Sequence, residues 1–400
     1  MRSSYRPIGN YIRLVDERNN GLHTTNLLGV SISKQFIKSV ANVIGTDMEN
    51  YKIIRKNQFA CSIMQVRRDR KMPVALYTKD EPSLISQAYP VFEIINAEEL
   101  LPEYLMMWFT RSEFDREACF YAVGGVRGSL EWEDFCNMQL PIPSPEKQLE
   151  IVREYNVIQS RIKLNNQLIA KLEETAQAIY KQWFVDFEFH NENGLPYKSS
   201  GGEMVGSELG EIPKGWDVGR LGDITKIIMG QSPKGDSYNT EGIGTPLVNG
   251  PVEFGEYFTE KTKWTTSVTK LSEIDDLIIC VRGSTTGRFV KSDGFYCLGR
   301  GVCSLRAFHS QRFVDQVYQN SLQKLLALTT GSTFPNWDRL TLSNFLIIIP
   351  SRDLMEEYEK KISLVFGLIE SKHKEIIIIN NIKKVLFAKM TKVEFENEFA

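Results

Sequence analysis

Several features that would give a chain of this size a chemistry or an address are missing from its 400 residues. No apolar run approaches the roughly 18 residues needed to span a bilayer, so no membrane association is expected. The N-terminal MRSSYRPIGN has no apolar signal-peptide core. These absences point to the cytoplasm, with the cysteines reduced and mostly buried. Six cysteines, at 61, 119, 136, 280, 297 and 303, show no CxxC spacing, and four scattered histidines offer no metal set. Zinc is therefore not expected. Neither GxGxxG nor GxxxxGK[ST] occurs, which removes the dinucleotide fingerprint and the P-loop. Without a Pro-Pro dipeptide there is no Asn/Asp-Pro-Pro-aromatic motif of amino-methyltransferases. Asp275–Asp276 precede an apolar run, but no Glu-x-Lys follows at nuclease spacing, and the pair reads as a turn. Ser284 has no sequence-visible histidine to activate it. What remains reads as a binding and scaffolding protein, not a catalyst.

Charge is balanced, with 48 Lys and Arg against 50 Asp and Glu. The net of −2 gives no support for DNA binding, although a long chain can concentrate cations on one face. Hydrophobic content of 42% with 24% charged residues is ordinary for folded domains, and the length suggests two to four of them.

One stretch occurs twice. GGVRGSLEWEDFCNMQLPIPSPEKQLEIV (124–152) aligns without a gap on GSTFPNWDRLTLSNFLIIIPSRDLMEEYE (331–359), at a constant offset of 207 residues. Gly124 falls on Gly331, Phe135 on Leu342, Pro143 on Pro350 and Ser144 on Ser351. A period this long is a duplicated domain, not a solenoid repeat.

Each copy opens a long heptad pattern. The seam positions are Ile151, Tyr155, Ile158, Ile162, Asn165, Ile169, Leu172, Ala176, Ile179 and Trp183 in the first. They are Tyr358, Ile362, Val365, Ile369, Lys372, Ile376, Ile379, Lys383, Leu386 and Met390 in the second. Sustained 4,3 spacing predicts a coiled-coil seam, and matched length and register favour a mutual pair over two ordinary core helices. Ser144 and Ser351 are N-cap candidates; Pro145, Glu146 and Asp353 suit a first turn. Asn165 and Lys372 occupy equivalent seam positions, where polar residues can fix register at a cost in stability. Val157, Leu164, Leu168, Leu364, Leu368, Ile377 and Ile378 lie off the seam, and they pack either on the chain's own domains or on partner proteins.

Along the chain, residues 1–143 read as a mixed α+β domain, with strands near Phe59–Met64 and Val74–Tyr77 and one amphipathic helix over Leu101–Phe114. QVRRDRKMPVALY holds its densest cationic cluster: Arg67, Arg68, Arg70 and Lys71 follow Gln65. A basic loop between strands can contact phosphates or guanine edges, and is equally a solvated surface loop. Residues 190–215, rich in Gly, Ser, Asn and Pro, read as a linker or extended crossover. Residues 216–350 form a second mixed domain, with strands at Pro246–Val248 and Leu277–Val281. The following RGSTTGR brings Arg282, Ser284, Thr285, Thr286 and Arg288 together, as a polar hairpin or a nucleic-acid contact. TTGSTFPNW adds Ser332, Thr333 and Asn336, and its first-domain counterpart holds Arg127 and Ser129. The tail after Thr391 is acidic.

The pattern resembles the DNA-specificity (S) subunits of type I restriction–modification systems over nearly the whole chain. The resemblance rests on LPIPSPEKQLEIV, on WFVDFEFHNENGLPYKSSGGEMVGSELGEIPKGWDVGRLGDI from Trp183, and on NQFACSIMQVRRDRKMPVALY, RGSTTGR and TGSTFPNW. It implies an α+β architecture: two mixed α/β target-recognition domains separated by two long antiparallel coiled-coil helices, in a pseudo-two-fold internal duplication. Segments 1–143 and 216–350 would be the recognition domains, 144–190 and 351–400 the conserved-region helices, and 191–215 the linker. Each domain would read one half of a split site on double-stranded DNA, with the helices as a ruler. Two methyltransferase subunits using S-adenosylmethionine are implied, with two restriction subunits using ATP and Mg²⁺; this chain itself would hold no cofactor. Because the first domain begins within a few residues of Met1, any extra N-terminal conserved segment is expected to be missing. Recognition domains vary with their targets, so the site residues above follow from loop position and chemistry, not from a carried-over contact set.

Overall fold

In a computed structural model, residues 5–22, 24–39, 47–124, 128–329 and 335–392 are described. The chain forms two compact units, Met1–Lys163 with Ile377–Ala400, and Leu164–Ile376.

The first unit begins with β1 (Tyr5–Pro7), β2 (Ile12–Val15), β3 (Leu27–Val30), β4 (Phe36–Lys38), β5 (Lys52–Ile54) and β6 (Gln58–Cys61). A single helical turn, α1 (Val66–Asp69), leads to β7 (Val74–Leu76), β8 (Ser83–Ile85) and β9 (Val91–Ile94). Then come α2 (Pro102–Phe109), α3 (Ser112–Tyr121), α4 (Trp132–Asn137) and β10 (Gln139–Pro141). One sheet has the order β2-β9-β6-β7 and another β4-β3-β8-β5, while β1 pairs with β10. β6 buries all four of its residues, which is why its sequence is a continuous apolar run after Gln58. Phe59 stacks on Phe92 at 5.0 Å with Phe109 edge-on, locking the sheet to α2. The expected helix over Leu101–Phe114 is two helices. Arg111 is extended (ψ 143°) and buried, its guanidinium 4.1 Å from the Trp108 ring centre, and this break redirects the chain.

Residues 191–215 are more structured than a plain linker. After α5 (Pro145–Phe184) the chain forms a hairpin, β11 (Met204–Ser207) and β12 (Gly210–Pro213). Aromatic stacking orders its base: Phe189 lies 4.7 Å from Tyr197 and 5.2 Å from Trp216. The second unit continues with β13 (Asp217–Arg220), α6 (Leu221–Ile224), β14 (Thr225–Met229), β15 (Tyr238–Asn239), β16 (Thr245–Val248) and β17 (Trp264–Thr265). Next are β18 (Leu277–Cys280), β19 (Phe289–Lys291), β20 (Cys297–Leu298), β21 (Val302–Ala307), α7 (Gln311–Ala327), α8 (Arg339–Ser343), β22 (Leu346–Ile349) and α9 (Arg352–Lys392).

Its sheets repeat those of the first unit. β14-β21-β18-β19 corresponds to β2-β9-β6-β7, and β13–β22 to β1–β10. The parallel pair β16–β20 corresponds to the parallel pair β3–β8. β22 begins at Leu346, 207 residues after Gln139 of β10. Where α7 is continuous for 17 residues, the first unit has α2 and α3. Residues 125–127, 330–334 and the acidic tail from 393 lie outside the described residues.

α5 and α9 contain 40 and 41 residues, each about 60 Å of helix. The Ser144 and Ser351 hydroxyls accept from the amides of Lys147 and Leu354 at 3.4 Å, as N-caps do. Every predicted seam position on both helices is buried or half-buried. In the first unit Ile151 and Val152 share a core with Leu386 and Met390, and the Tyr155 and Phe387 rings meet at 5.8 Å. In the second, Tyr358 packs on Trp183 and Phe184 at 5.9 and 5.0 Å. The start of one helix lies against the end of the other in both units, so the pair is antiparallel. The off-seam apolar residues are exposed, from 40% at Leu168 to 78% at Leu364, and packing on the chain's own domains does not account for them.

Two polar features set the energetics of the second unit. Asn165 is 1% exposed and its Nδ2 has no hydrogen-bond partner among the described residues, whereas Lys372 pairs with Glu375 of its own helix at 2.8 Å. Arg312 of α7 reaches Asp275 at 2.9 Å and Glu370 of α9 at 2.8 Å, while Lys291 reaches Asp315 at 2.7 Å. Burial works against the Arg312 cation, yet Asp275 and Asp315 outweigh it and its pKa is raised. Glu359 of α9 accepts from the Ser310 hydroxyl and the Arg312 amide at 2.7 and 3.0 Å, so α7 is tied to α9 by charge as well as by apolar packing.

Arg312→Ala leaves Glu370 without its partner and Asp275 and Asp315 with Lys291 as their remaining cation, and is expected to cost about 3 kcal/mol in urea unfolding. Asn165→Leu removes a buried carboxamide whose Nδ2 has no hydrogen-bond partner among the described residues, and is expected to raise stability by about 1 kcal/mol. A loss in that variant would show that the amide is needed where it stands.

Candidate nucleic-acid interface

In the first unit the basic cluster is held by two left-handed residues. Gln65 (φ 65°) precedes α1 and Arg70 (φ 51°) follows it. Val66 and Met72 are fully buried, which anchors both ends and leaves Arg67, Arg68, Arg70 and Lys71 exposed. The segment packs on the loop before α4. The Arg67 amide donates to Gly128 O at 3.5 Å, its guanidinium to Gly124 O at 3.4 Å, and the Leu130 amide to Ile63 O at 2.9 Å. A side chain at Gly128 would collide with Arg67 Cβ, so only glycine allows this approach. Ser129 exchanges two backbone bonds with Val123 at 2.9 and 2.8 Å and stands beside the cluster. Arg127 lies outside the described residues.

These cations differ in availability. Arg68 grips Asp69 through two bonds of 2.7 and 3.1 Å, and the Arg68 hydrogen bond lowers the Asp69 pKa. Arg70 and Lys71 have no ion pair among the described residues, which leaves them to a solution partner.

In the second unit RGSTTGR is the loop between β18 and β19. Gly283 and Gly287 take φ values of 86° and 95°, which turn the chain at both ends. The Thr286 hydroxyl faces Gly283 O and Pro335 O at 2.8 and 2.9 Å, so it is committed to holding the loop. Burial pushes the Cys280 thiol up to about 11, and the inward Thr285 hydroxyl bonded to it pulls the other way. Arg282, Ser284 and Arg288 are exposed, and neither arginine has an ion pair among the described residues. The Gly283 amide donates to Pro335 O at 3.0 Å and the Trp337 amide to Val281 O at 3.0 Å, while Arg282 bridges to Asn336. Trp337 is fully buried and donates to Leu325 O at 2.9 Å, which plugs the loop base. Ser332 and Thr333 lie outside the described residues.

The two loops are laced alike. Leu130 to Ile63 corresponds to Trp337 to Val281, and Gly128 to Arg67 corresponds to Pro335 to Gly283; 130 and 337, like 128 and 335, differ by 207. Each unit thus presents outward cations on a loop clamped at its base. Asp276, by contrast, accepts from the Glu273 amide at 2.9 Å and pairs with Arg306, a turn role.

Sequence reading missed Ser232, Tyr238, Asn249 and Arg300. They line a cleft of about 830 Å³ together with Arg282, Gly283 and Gly301. The one sequence signal was the Gly-Arg-Gly at 299–301, a lone cation without a cluster around it.

Comparison with known proteins gives these loops a family. The type I restriction modification DNA specificity domain matches residues 32–174 and 213–381. The putative type I restriction enzyme MjaX specificity subunit of Methanocaldococcus jannaschii is 27% identical over 286 residues, 70% of this chain and 64% of that protein, under two thirds of its length. The HindI specificity subunit of Haemophilus influenzae is 22% identical over 355 residues, covering 71% of this chain and 75% of that protein. The crystal structure of a type I restriction–modification S subunit from M. genitalium shares the fold, with a TM-score of 0.59 at 15% identity over 96% of this chain and 95% of that one. With both halves matched, over more than half of its length, the chain belongs to the type I restriction modification DNA specificity family.

Proposed function

We propose that this chain is the non-catalytic DNA-recognition subunit of a type I restriction–modification complex. The observation that carries the reading is the repeated site: two sheets of one topology, each offering unpaired cations on a loop laced to the segment before the last short helix. Each recognition domain, 1–143 and 216–350, reads one half of a bipartite, asymmetric site on double-stranded DNA. Phosphate contacts from residues such as Arg70, Lys71 and Arg288 fix register, and base-edge contacts specify sequence. The helices of 144–190 and 351–400 act as the ruler for the unread spacer, with 191–215 as the connection.

Two methyltransferase subunits dock on this chain. The exposed off-seam residues Val157, Leu164, Leu168, Leu364, Leu368, Ile377 and Ile378 support a protein partner on the helices, because apolar side chains in such numbers gain by leaving water. Two restriction subunits join for cleavage. S-adenosylmethionine, ATP and Mg²⁺ belong to those partners, and the complex works in the cytoplasm.

Adenine-methylation mapping tests the role directly. Cells expressing this chain with its methyltransferase should show a split motif with a constant gap, absent with the methyltransferase alone; identical maps would overturn the reading. For the purified complex, Arg70→Ala with Lys71→Ala should weaken binding to all sequences alike. It should also reduce the slope of log affinity against log salt by about 1–2, at roughly 0.9 per lost phosphate contact.

A further inference from the structure

Taking the DNA-recognition role as its premise, we propose that the cleft around Arg300 is the base-reading pocket of the second recognition domain, with Arg300 reading a guanine from the rim and Arg282 beside it.

The cleft is built by main-chain convergence. The Gly299 amide donates to Val248 O at 2.8 Å, Gln231 to Leu298 O at 2.8 Å, Gly230 to Val302 O at 3.0 Å and Val281 to Gly301 O at 2.9 Å. The ends of β14, β16 and β18 therefore meet the β20–β21 turn at one place. Glycine is required for this. A Cβ at Gly299 would collide with Asn249 Oδ1, one at Gly301 with Asn249 O, and one at Gly230 with Gly299 O. Arg300 sits between two of these glycines, and its amide donates to Ser232 Oγ at 3.2 Å. Beneath it the Asn249 and Gly250 amides donate to one oxygen of the buried Glu253 carboxylate at 3.1 and 3.2 Å, which holds the Asn249 corner.

Arg300 is thus fixed at its backbone and uncommitted at its head. Neither Arg300 nor Arg282 makes an ion pair or a side-chain hydrogen bond among the described residues, whereas Arg306 and Arg312 in the same unit are both paired. A rigidly based, unpaired guanidinium beside DNA has two targets, a phosphate or a guanine edge. The lining favours the base. A phosphate accepts hydrogen bonds only, yet the Tyr238 hydroxyl that lines this cleft already donates to Pro233 O at 3.2 Å and has only acceptor capacity left to offer, while the Asn249 carboxamide beside it offers both a donor and an acceptor. Mixed groups suit a base edge, and a guanidinium fork matches guanine O6 and N7.

The test uses the complex of this chain with its methyltransferase. Affinity is measured on a panel of duplexes that vary each base pair of the mapped site, for wild type, Arg300→Ala and Arg300→Lys. Arg300→Ala should lose roughly 5- to 150-fold of discrimination at one G·C pair in a single half-site, leaving the other half-site unchanged. Arg300→Lys should keep overall affinity closer to wild type but also lose that discrimination, since an ammonium lacks the fork. Both should melt with wild type, because Arg300 is exposed. Affinity reduced equally on every duplex would make Arg300 a phosphate contact and overturn the proposal, as would unchanged discrimination. A wild-type complex without any split-site preference would instead overturn the recognition role itself.

Discussion

A residue on α5 or α9 is out of water wherever the 4,3 spacing places it on the seam, from Ile151 to Trp183 and from Tyr358 to Met390. In folded proteins most helical stability comes from packing an apolar face, and α5 and α9 bury theirs along this seam. Each unit therefore needs segments from both helices. The first unit completes its core with Leu386 and Met390, and the second with Tyr180, Trp183 and Phe184 against Tyr358. The recognition sheets inherit their footing from this burial. In the second unit the footing is reinforced by the Arg312–Glu370 pair and by Glu359 at the start of α7. Such pairs, once desolvated, are costly to break and add little when replaced whole, so they act on geometry more than on net stability.

The helices and the duplication were legible because both are written in local periodicity. A heptad seam declares itself over forty residues, and the two copies keep one spacing through the loop, the short helix, the strand and the N-cap. Fully apolar strands such as Leu277–Cys280 were legible for the same reason. The break between α2 and α3 was not. Thr110 and Arg111 carry no proline or glycine signal, and the bend comes from burying Arg111 against Trp108, a tertiary contact. The hairpin at 204–213 was hidden by its Gly- and Ser-rich composition, since what orders it is the stacking of Phe189, Tyr197 and Trp216 at its base.

The candidate site was legible in part. Runs of cations and hydroxyls marked the two loops, and the fold brings each loop together with its partner segment. Which members are available could not be read. Arg68 and Arg70 look alike in sequence, but one is tied to Asp69 and the other is not. Thr286 and Ser284 look alike too, but one hydroxyl is held between two carbonyls. The Arg300 cleft escaped because its lining comes from residues 232 to 301, joined by sheet topology and not by spacing.

The lacing that clamps these loops runs mostly from main chain to main chain: Leu130 to Ile63, Trp337 to Val281, Gly283 to Pro335. Such bonds are indifferent to the side chains at the tips. Lys71, Ser284 and Arg288 stand on a frame whose stability does not consult them, so substitution there leaves the fold constant. The arrangement separates what must be kept from what is free to change, and on the DNA-reading role proposed above a target would shift one exposed position at a time.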